Sequence, residues 1–191
     1  GVTIPDEDWA LFRGSSEESF YRRARDRYKV PVPLEELRAE GRQEVLEVFS
    51  HSLKFMDGFE TLHDQICPDY KLGLVTSTPA LIFNMMDKRL NLRNLFPLVL
   101  TGEMTVHNKP HPEPYLTMMA KLQVDPEESV VIEDSIPGIQ AAWDSGAWTV
   151  ALTGSVPVEA MPERHLTISH LSQLDAGLIS ALPDRLATAA E

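Results

Sequence analysis

"VVIEDSIPG", residues 130–138, decides how the rest of this chain is read. Val130, Val131 and Ile132 form a continuous β-branched run, the pattern of a strand buried on both faces. The run ends in two adjacent carboxylates, Glu133 and Asp134, after which Ser135, Pro137 and Gly138 supply a turn and the start of a helix. A buried strand gains no stability from paired acids, because each charge must be solvated, paired or metal-bound. Two readings fit. One is a solvated strand end whose Asp or Ser caps the next helix; the other is half of a metal site.

Composition narrows the classes. A chain of 191 residues suits one domain, or a core with a small insertion. Hydrophobic content of 43% is enough for a packed core, and charged content of 24% is ordinary for a soluble protein. A net charge of -12 argues against a nucleic-acid surface, which needs clustered Lys and Arg. The lone cysteine, Cys67, excludes an internal disulfide and a Cys-rich zinc site. It fits a reducing compartment. No apolar run approaches the ~18 residues of a membrane span, and the first residues lack a signal peptide's pattern. A soluble, cytoplasmic protein is expected.

Working outward from 130–138, four more segments read as strands: "KLGLVTST" (71–78), "PLVLTGEM" (97–104), "WTVALTG" (148–154) and the weaker "HLTIS" (165–169). Helical segments separate them, among them "PALIFNMMDKRL", "PEPYLTMMAKLQ" and "IPGIQAAWDSG". This alternation predicts an α/β fold, a doubly wound parallel sheet with helices on both faces. Right-handed crossovers then bring every strand's C-terminal end to one edge, where such folds bind ligands. Residues 1–53 read as helices only. A short run from Asp6 ends near Gly14, Ser15 and Glu18 have capping-box spacing, and Leu34, Leu37, Val45, Leu46 and Phe49 mark one face of a long amphipathic helix. Residues 1–53 are therefore expected to be a cap or insertion, and 54–191 the core.

Three strand ends carry polar chemistry. "LVTSTP" puts Thr76, Ser77 and Thr78 where a strand turns into a helix. Hydroxyls together with the amides of a helix start make a cradle suited to phosphate, although Ser and Thr are also ordinary caps. "NKPHPEPY" holds Lys109 between Asn108 and two prolines, either as a fixed cation or as a plain surface lysine. His107 and His111 are no metal pair on spacing alone, since Pro110 and Pro112 break any helix between them. Neither a Gly-x-Gly-x-x-Gly turn nor a Gly-Lys-Ser/Thr loop is present, so nucleotide-binding motifs find no support.

The order strand–Thr, Lys-Pro, strand–Glu-Asp-Ser resembles motifs two, three and four of the haloacid dehalogenase-like (HAD) hydrolases. "GKPxPxxY" and "EDSxxGxxAA" typify the helical-cap branch of small-molecule phosphatases and β-phosphoglucomutase; here they stand as "NKPHPEPY" and "EDSIPGIQAA". The resemblance covers essentially the whole chain, with "FRGSS" (12–16) similar to the cap's substrate-facing loop. It implies a Mg²⁺-dependent phosphohydrolase acting on a small phosphorylated metabolite. Asp134 matches the direct Mg²⁺ ligand, with Glu133 as a supporting carboxylate. Lys109 matches the lysine that neutralises phosphate and nucleophile. Thr76 matches the motif-two hydroxyl, the Ser77 amide is a further phosphate donor, and Arg13 and Ser16 fall in the cap loop. Where the mutases carry a lysine after motif two and a basic residue in the cap loop, this chain has Pro79 and Glu17. That favours a phosphatase over a sugar-phosphate mutase.

Motif one, an apolar strand ending in Asp-x-Asp-Gly-Thr, is absent from the sequence. Its first Asp attacks phosphorus to give an aspartyl-phosphate, and its second is the general acid and base. "VTIPDEDW" (2–9) carries Asp6 and Asp8, but Pro5 cannot sit in a central sheet ladder and no Gly-Thr follows. The chain is expected to begin inside the cap, without the first core strand, and to be inactive alone. The resemblance places that strand between those ending at Thr76 and Glu133. An empty slot there would orphan about ten backbone groups at ~1–3 kcal/mol each. Either a segment outside this sequence fills it, or a neighbouring molecule does by swapping, or the flanking strands close up and pair. The alternatives to an enzyme are a catalytically silent domain of the same ancestry and an unrelated doubly wound binding protein. The substrate and the oligomeric state are not legible in the sequence.

Overall fold

A computed structural model describes residues 3–5, 8–9, 12–154 and 156–187. Among the described residues five short strands carry the core. β1 (Gly73–Val75) pairs with β2 (Leu98–Leu100), while β3 (Val130–Glu133), β4 (Trp148–Leu152) and β5 (Leu166–Ile168) make a second sheet in the order β3–β4–β5. Every pairing is parallel: Leu74 faces Val99, Ile132 faces Val150, and Ala151 faces Thr167. Between and after them run α3 (Phe59–Ile66), α4 (Ala80–Leu90), the four-residue α5 (Leu92–Leu95), α6 (Glu113–Leu122), α7 (Ile136–Asp144) and α8 (Ala176–Ala187). The five strands and the parallel α/β architecture are those expected from the sequence.

The parallel surface comes in two pieces. Among the described residues β1 pairs only with β2, and β3 only with β4. Direct closure of β1 onto β3, one of the expectations above, therefore does not occur. Side chains join the two sheets instead: Val75 packs in one apolar cluster with Val131 of β3 and with Tyr115 and Met119 of α6.

The alternation of side chains along each strand sorts the core into two layers. Val130, Ile132, Val150 and Leu152 turn to one face, against Leu62 of α3 and Ile179 and Leu182 of α8. Val131 turns to the other, against Tyr115, Met119, Ala141 and Ala142. Ala151 follows it there, against Ile139 of α7. Ile139, Ala141, Ala142 and Val150 have no solvent exposure. Each large aliphatic side chain buried this way contributes about 1.5–3 kcal/mol. The sequence reading assigned no element between Gly58 and Lys71, where α3 forms. Gly58, at φ +86, starts it, and Phe59, Leu62 and Ile66 recur at helical spacing, a signal present in the sequence and missed.

The N-terminal helices α1 (Glu17–Tyr28) and α2 (Leu34–Ser52) pack on each other. The buried Glu17 carboxylate accepts from Arg38 and Arg42 of α2, which explains an acid in the cap loop as a helix–helix tie. The N-cap of α1 is Ser16, whose hydroxyl accepts from the Ser19 amide at 3.3 Å; Ser15, expected in that role, accepts from Arg23 instead. Phe12 meets Phe20 edge-on at 5.3 Å. Asp6 lies outside the described residues. The last carbonyls of α2, at Ser50 and His51, accept from Arg89 of α4, which thus supplies partners for the C-terminal end of α2. Among the described residues no helix is long and apolar enough to cross a membrane.

Candidate active site

Glu133 is the hub. It closes β3 with its side chain about one-tenth exposed, and four donors converge on its two oxygens. Oε1 accepts from the Lys109 ammonium and from the Tyr115 hydroxyl. Oε2 accepts from the Ser135 hydroxyl at 3.1 Å and from the Asp134 amide at 3.2 Å. An ionised carboxylate offers about four lone-pair positions, so this one is saturated. Burial pushes the Glu133 carboxyl up, but Lys109, Tyr115 and Ser135 together more than offset it and hold it below the usual value. Burial, followed by the charge of Glu133, pushes the Tyr115 phenol well above its usual range, so it remains a donor.

The turn after β3 explains the sequence that follows. Ser135 caps α7 by accepting from the Gly138 amide at 3.2 Å while it donates to Glu133. A Cβ on Gly138 would lie 2.2 Å from the Glu133 carboxyl carbon, so the helix can pass this carboxylate only with glycine there.

Lys109 bridges the two sheets. Its ammonium donates to the Val75 carbonyl at 3.3 Å, at the end of β1, as well as to Glu133 at the end of β3. Its side chain is only 6% exposed. The surrounding loop is braced: Glu113 accepts from the amides of Val106 at 2.7 Å and His107 at 3.0 Å. The Glu113 amide donates to His111 Nδ1 at 3.1 Å. The His111 ring thus braces the loop, and the His107 ring lies 4.6 Å from it.

At the end of β1, the Thr76 amide continues the ladder to Leu100, and its hydroxyl accepts from the Thr78 amide at 3.1 Å. Ser77 donates its hydroxyl to the Gly14 carbonyl at 3.0 Å, fastening the cap loop over this turn. At the start of α4 one amide of the expected cradle is already engaged. Its Ala80 amide donates to both oxygens of Glu103, each at 3.0 Å.

The structure thus links Thr76–Ser77, Lys109 and Glu133–Asp134 at neighbouring strand ends. Gly14, whose Cα abuts Ser135, lies across them. Arg13 is exposed in the cap loop, and Ser16 is occupied as the cap of α1. Tyr115, Ser135 and Gly14 stand within the quoted "NKPHPEPY", "EDSIPGIQAA" and "FRGSS" but, like Glu103, received no individual functional role from the sequence. A tyrosine in an amphipathic helix reads as core, and only the fold brings it to Glu133. Among the described residues no group of three or more His, Cys, Asp or Glu could hold a metal by itself. Mg²⁺ asks less: one or two carboxylates, with waters and phosphate oxygens completing its shell. Asp134 can be one such carboxylate, whereas both oxygens of Glu133, expected as a supporting metal carboxylate, are already filled by four donors, so Glu133 stands behind Asp134 and not as a second ligand.

The profile of the haloacid dehalogenase-like hydrolase family matches residues 1–152. A phosphorylated carbohydrates phosphatase of Thermotoga maritima is 37% identical over 114 residues, 59% of this chain and 53% of that protein. A validoxylamine A 7'-phosphate phosphatase of Streptomyces hygroscopicus subsp. limoneus is 32% identical over 120 residues, 62% of this chain and 56% of that protein. The chain spans about half the length of the curated relatives it matches. In fold, it superposes on the crystal structure of a β-phosphoglucomutase from Clostridium difficile with a TM-score of 0.85. That match covers 98% of this chain and 86% of the other at 19% identity.

Proposed function

The chain belongs to the haloacid dehalogenase-like hydrolase family, and we propose that it holds the phosphate of a small phosphomonoester for Mg²⁺-dependent hydrolysis. The observation that carries this reading is Lys109, a buried lysine shared between the Val75 carbonyl and the Glu133 carboxylate at two strand ends. Two of its three N–H bonds are used there, which leaves one for a phosphate oxygen. The Thr76 hydroxyl and the Ser77 amide are the neutral donors to the other oxygens. Asp134 would hold Mg²⁺, and Glu133 fixes its backbone amide. When bound, Mg²⁺ neutralises charge on the transferring phosphoryl group. The Ser77–Gly14 bond lays the loop of Arg13 and Gly14 beside these donors.

In the whole protein the attack on phosphorus is assigned to the aspartate of an Asp-x-Asp-Gly-Thr segment, through an aspartyl-phosphate. These 191 residues contain no such segment, so the chain by itself binds phosphate without hydrolysing esters. Pro79, in place of a lysine after motif two, and the engaged Glu17 favour a phosphatase over a mutase, which must hold two phosphates. The same absent segment is the one observation that favours a silent phosphate-binding domain as the second reading.

Titration of the purified chain with inorganic phosphate and Mg²⁺, followed by ³¹P NMR, tests the site. Saturable binding is expected, lost in Lys109→Ala and weakened in Thr76→Val, with the Mg²⁺ requirement removed by Asp134→Asn. No hydrolysis of p-nitrophenyl phosphate is expected. Turnover that survives purification and disappears in Asp134→Asn would reveal a nucleophile within the chain and overturn the division of labour proposed here.

A further inference from the structure

Tyr115 touches both members of the buried ion pair. It lies on α6 with 5% of its surface exposed, and its hydroxyl donates to Glu133 Oε1, the same oxygen that accepts from Lys109. Its ring also lies beneath the ammonium, with Lys109 Nζ 4.9 Å from the ring centroid. That distance is within the range of a cation–π contact. The ring is held in turn by Val75, Val131, Met119 and Ala142. A purely apolar α6 residue would fill this space equally well, yet the phenol oxygen is aimed at the one carboxylate that anchors Lys109.

We propose that Tyr115 is a positioning residue: its hydroxyl fixes the Glu133 carboxylate and its ring face fixes the Lys109 ammonium, so that the remaining N–H points to the phosphate. This rests on the reading of Lys109 as the phosphate-facing cation. A lysine side chain has four rotatable bonds and three equivalent donors, so two acceptors alone leave it free to swivel. The ring closes the side away from the phosphate.

Tyr115→Phe keeps the ring and removes the hydroxyl; Tyr115→Leu removes both. The direct readout is the ¹H–¹⁵N signal of the Lys109 ammonium, assigned by its loss in Lys109→Arg. That signal is sharp only when the ammonium is held by acceptors and shielded from exchange with water. In the parent chain we expect it to be present. In Tyr115→Phe it should broaden, and in Tyr115→Leu it should vanish, while the amide spectrum stays that of the folded protein. Phosphate affinity should fall at least about tenfold in Tyr115→Phe, the lower end of what one lost hydrogen bond to a charged group costs. In Tyr115→Leu it should fall further. An unchanged Lys109 signal in both folded variants overturns the proposal. So does an unchanged phosphate affinity in both variants when Lys109→Ala abolishes binding. Loss of the Lys109 signal, together with phosphate binding that ignores Lys109→Ala, supports Tyr115 as the anchor of Lys109 and removes the phosphate reading of the site instead.

Discussion

The Ser77 hydroxyl donates to the Gly14 carbonyl at 3.0 Å, and this one bond ties the loop ahead of α1 to the turn after β1. Gly14 can make the contact only because it lacks a side chain. Its φ is +72, and a Cβ built on it would lie 2.2 Å from the Ser135 hydroxyl. Gly14→Ala is therefore expected to cost the left-handed penalty of about 1–2 kcal/mol and to lift the cap loop from the core as well. Thermal unfolding should shift downward, and limited proteolysis should cut near residues 12–16 faster than in the parent chain. An unaltered cleavage rate would show that the loop is not held by this contact.

Much of this site was legible in the strand ends, because their chemistry is local. Val130–Ile132 announces a buried strand, Glu133–Asp134 its polar end, and Ser135 with Gly138 the helix that follows. The prolines around Lys109 likewise mark a stiff loop without any tertiary information. What stayed hidden depends on contacts across long sequence separations. Tyr115 closes the "NKPHPEPY" stretch, but nothing local shows that its hydroxyl reaches Glu133. Glu103 looks like a solvated loop acid until the Ala80 amide turns toward it. Gly14 reads as a helix stop, whereas its role is set by Ser77 and Ser135. The division of the strands into two sheets also has no local signature, since each strand has the same apolar pattern whichever neighbour it takes.

Removing Glu133's charge should reveal how far the hub depends on it. Glu133→Gln keeps the shape but leaves the Lys109 ammonium, with its side chain 6% exposed, without its counter-charge. Breaking a buried pair from one side costs about 3–5 kcal/mol. That is a large part of the ~5–15 kcal/mol that stabilises a domain. The double variant Glu133→Gln with Lys109→Met should recover part of the loss, because no orphaned charge remains. Urea unfolding of the three proteins measures this. A double variant no more stable than Glu133→Gln would mean that the ion pair itself is not the energetic core of the site.

Glu103 caps a helix that its own sequence cannot cap. Pro79, the N-cap of α4, has no side-chain hydrogen bond to offer, and both Glu103 oxygens take the Ala80 amide instead. Glu103→Ala should lower stability by about 1 kcal/mol, the usual worth of an N-terminal cap. Its phosphate affinity should not fall, since the variant removes an anion from the turn next to Ser77. A fall in affinity would show that Glu103 shapes the phosphate donors as well as the helix start.

His165 gives the fold a sensitivity to mild acid far from Lys109. Its Nδ1 accepts from the Thr149 amide at 2.9 Å, and its own amide donates to the Thr149 carbonyl at 2.9 Å. The ring thus extends the β4–β5 ladder beyond the Val150–Leu166 pair. Trp143 and Trp148 flank it, with centroids 4.7 and 4.6 Å away. Glu163 and Arg164 line the same surface groove. Burial holds the imidazole below its ordinary value of 6.5, and a protonated Nδ1 could no longer accept from Thr149. Between the lowered folded value and 6.5, the unfolded chain binds more protons than the folded one, so stability rises with pH there. The contribution is complete above 6.5 and is lost as pH falls through the folded value. Melting temperatures should be level from about pH 7.5 upward and should decline below 6.5, ahead of the Glu133 limb that begins below 4.5. His165→Phe keeps a ring between the two tryptophans and removes the titrating group. Its curve should start lower, for want of an acceptor for Thr149, and stay level down to the Glu133 limb. If the variant declines between pH 6.5 and 5 as the parent chain does, another group carries the effect and His165 is only packing.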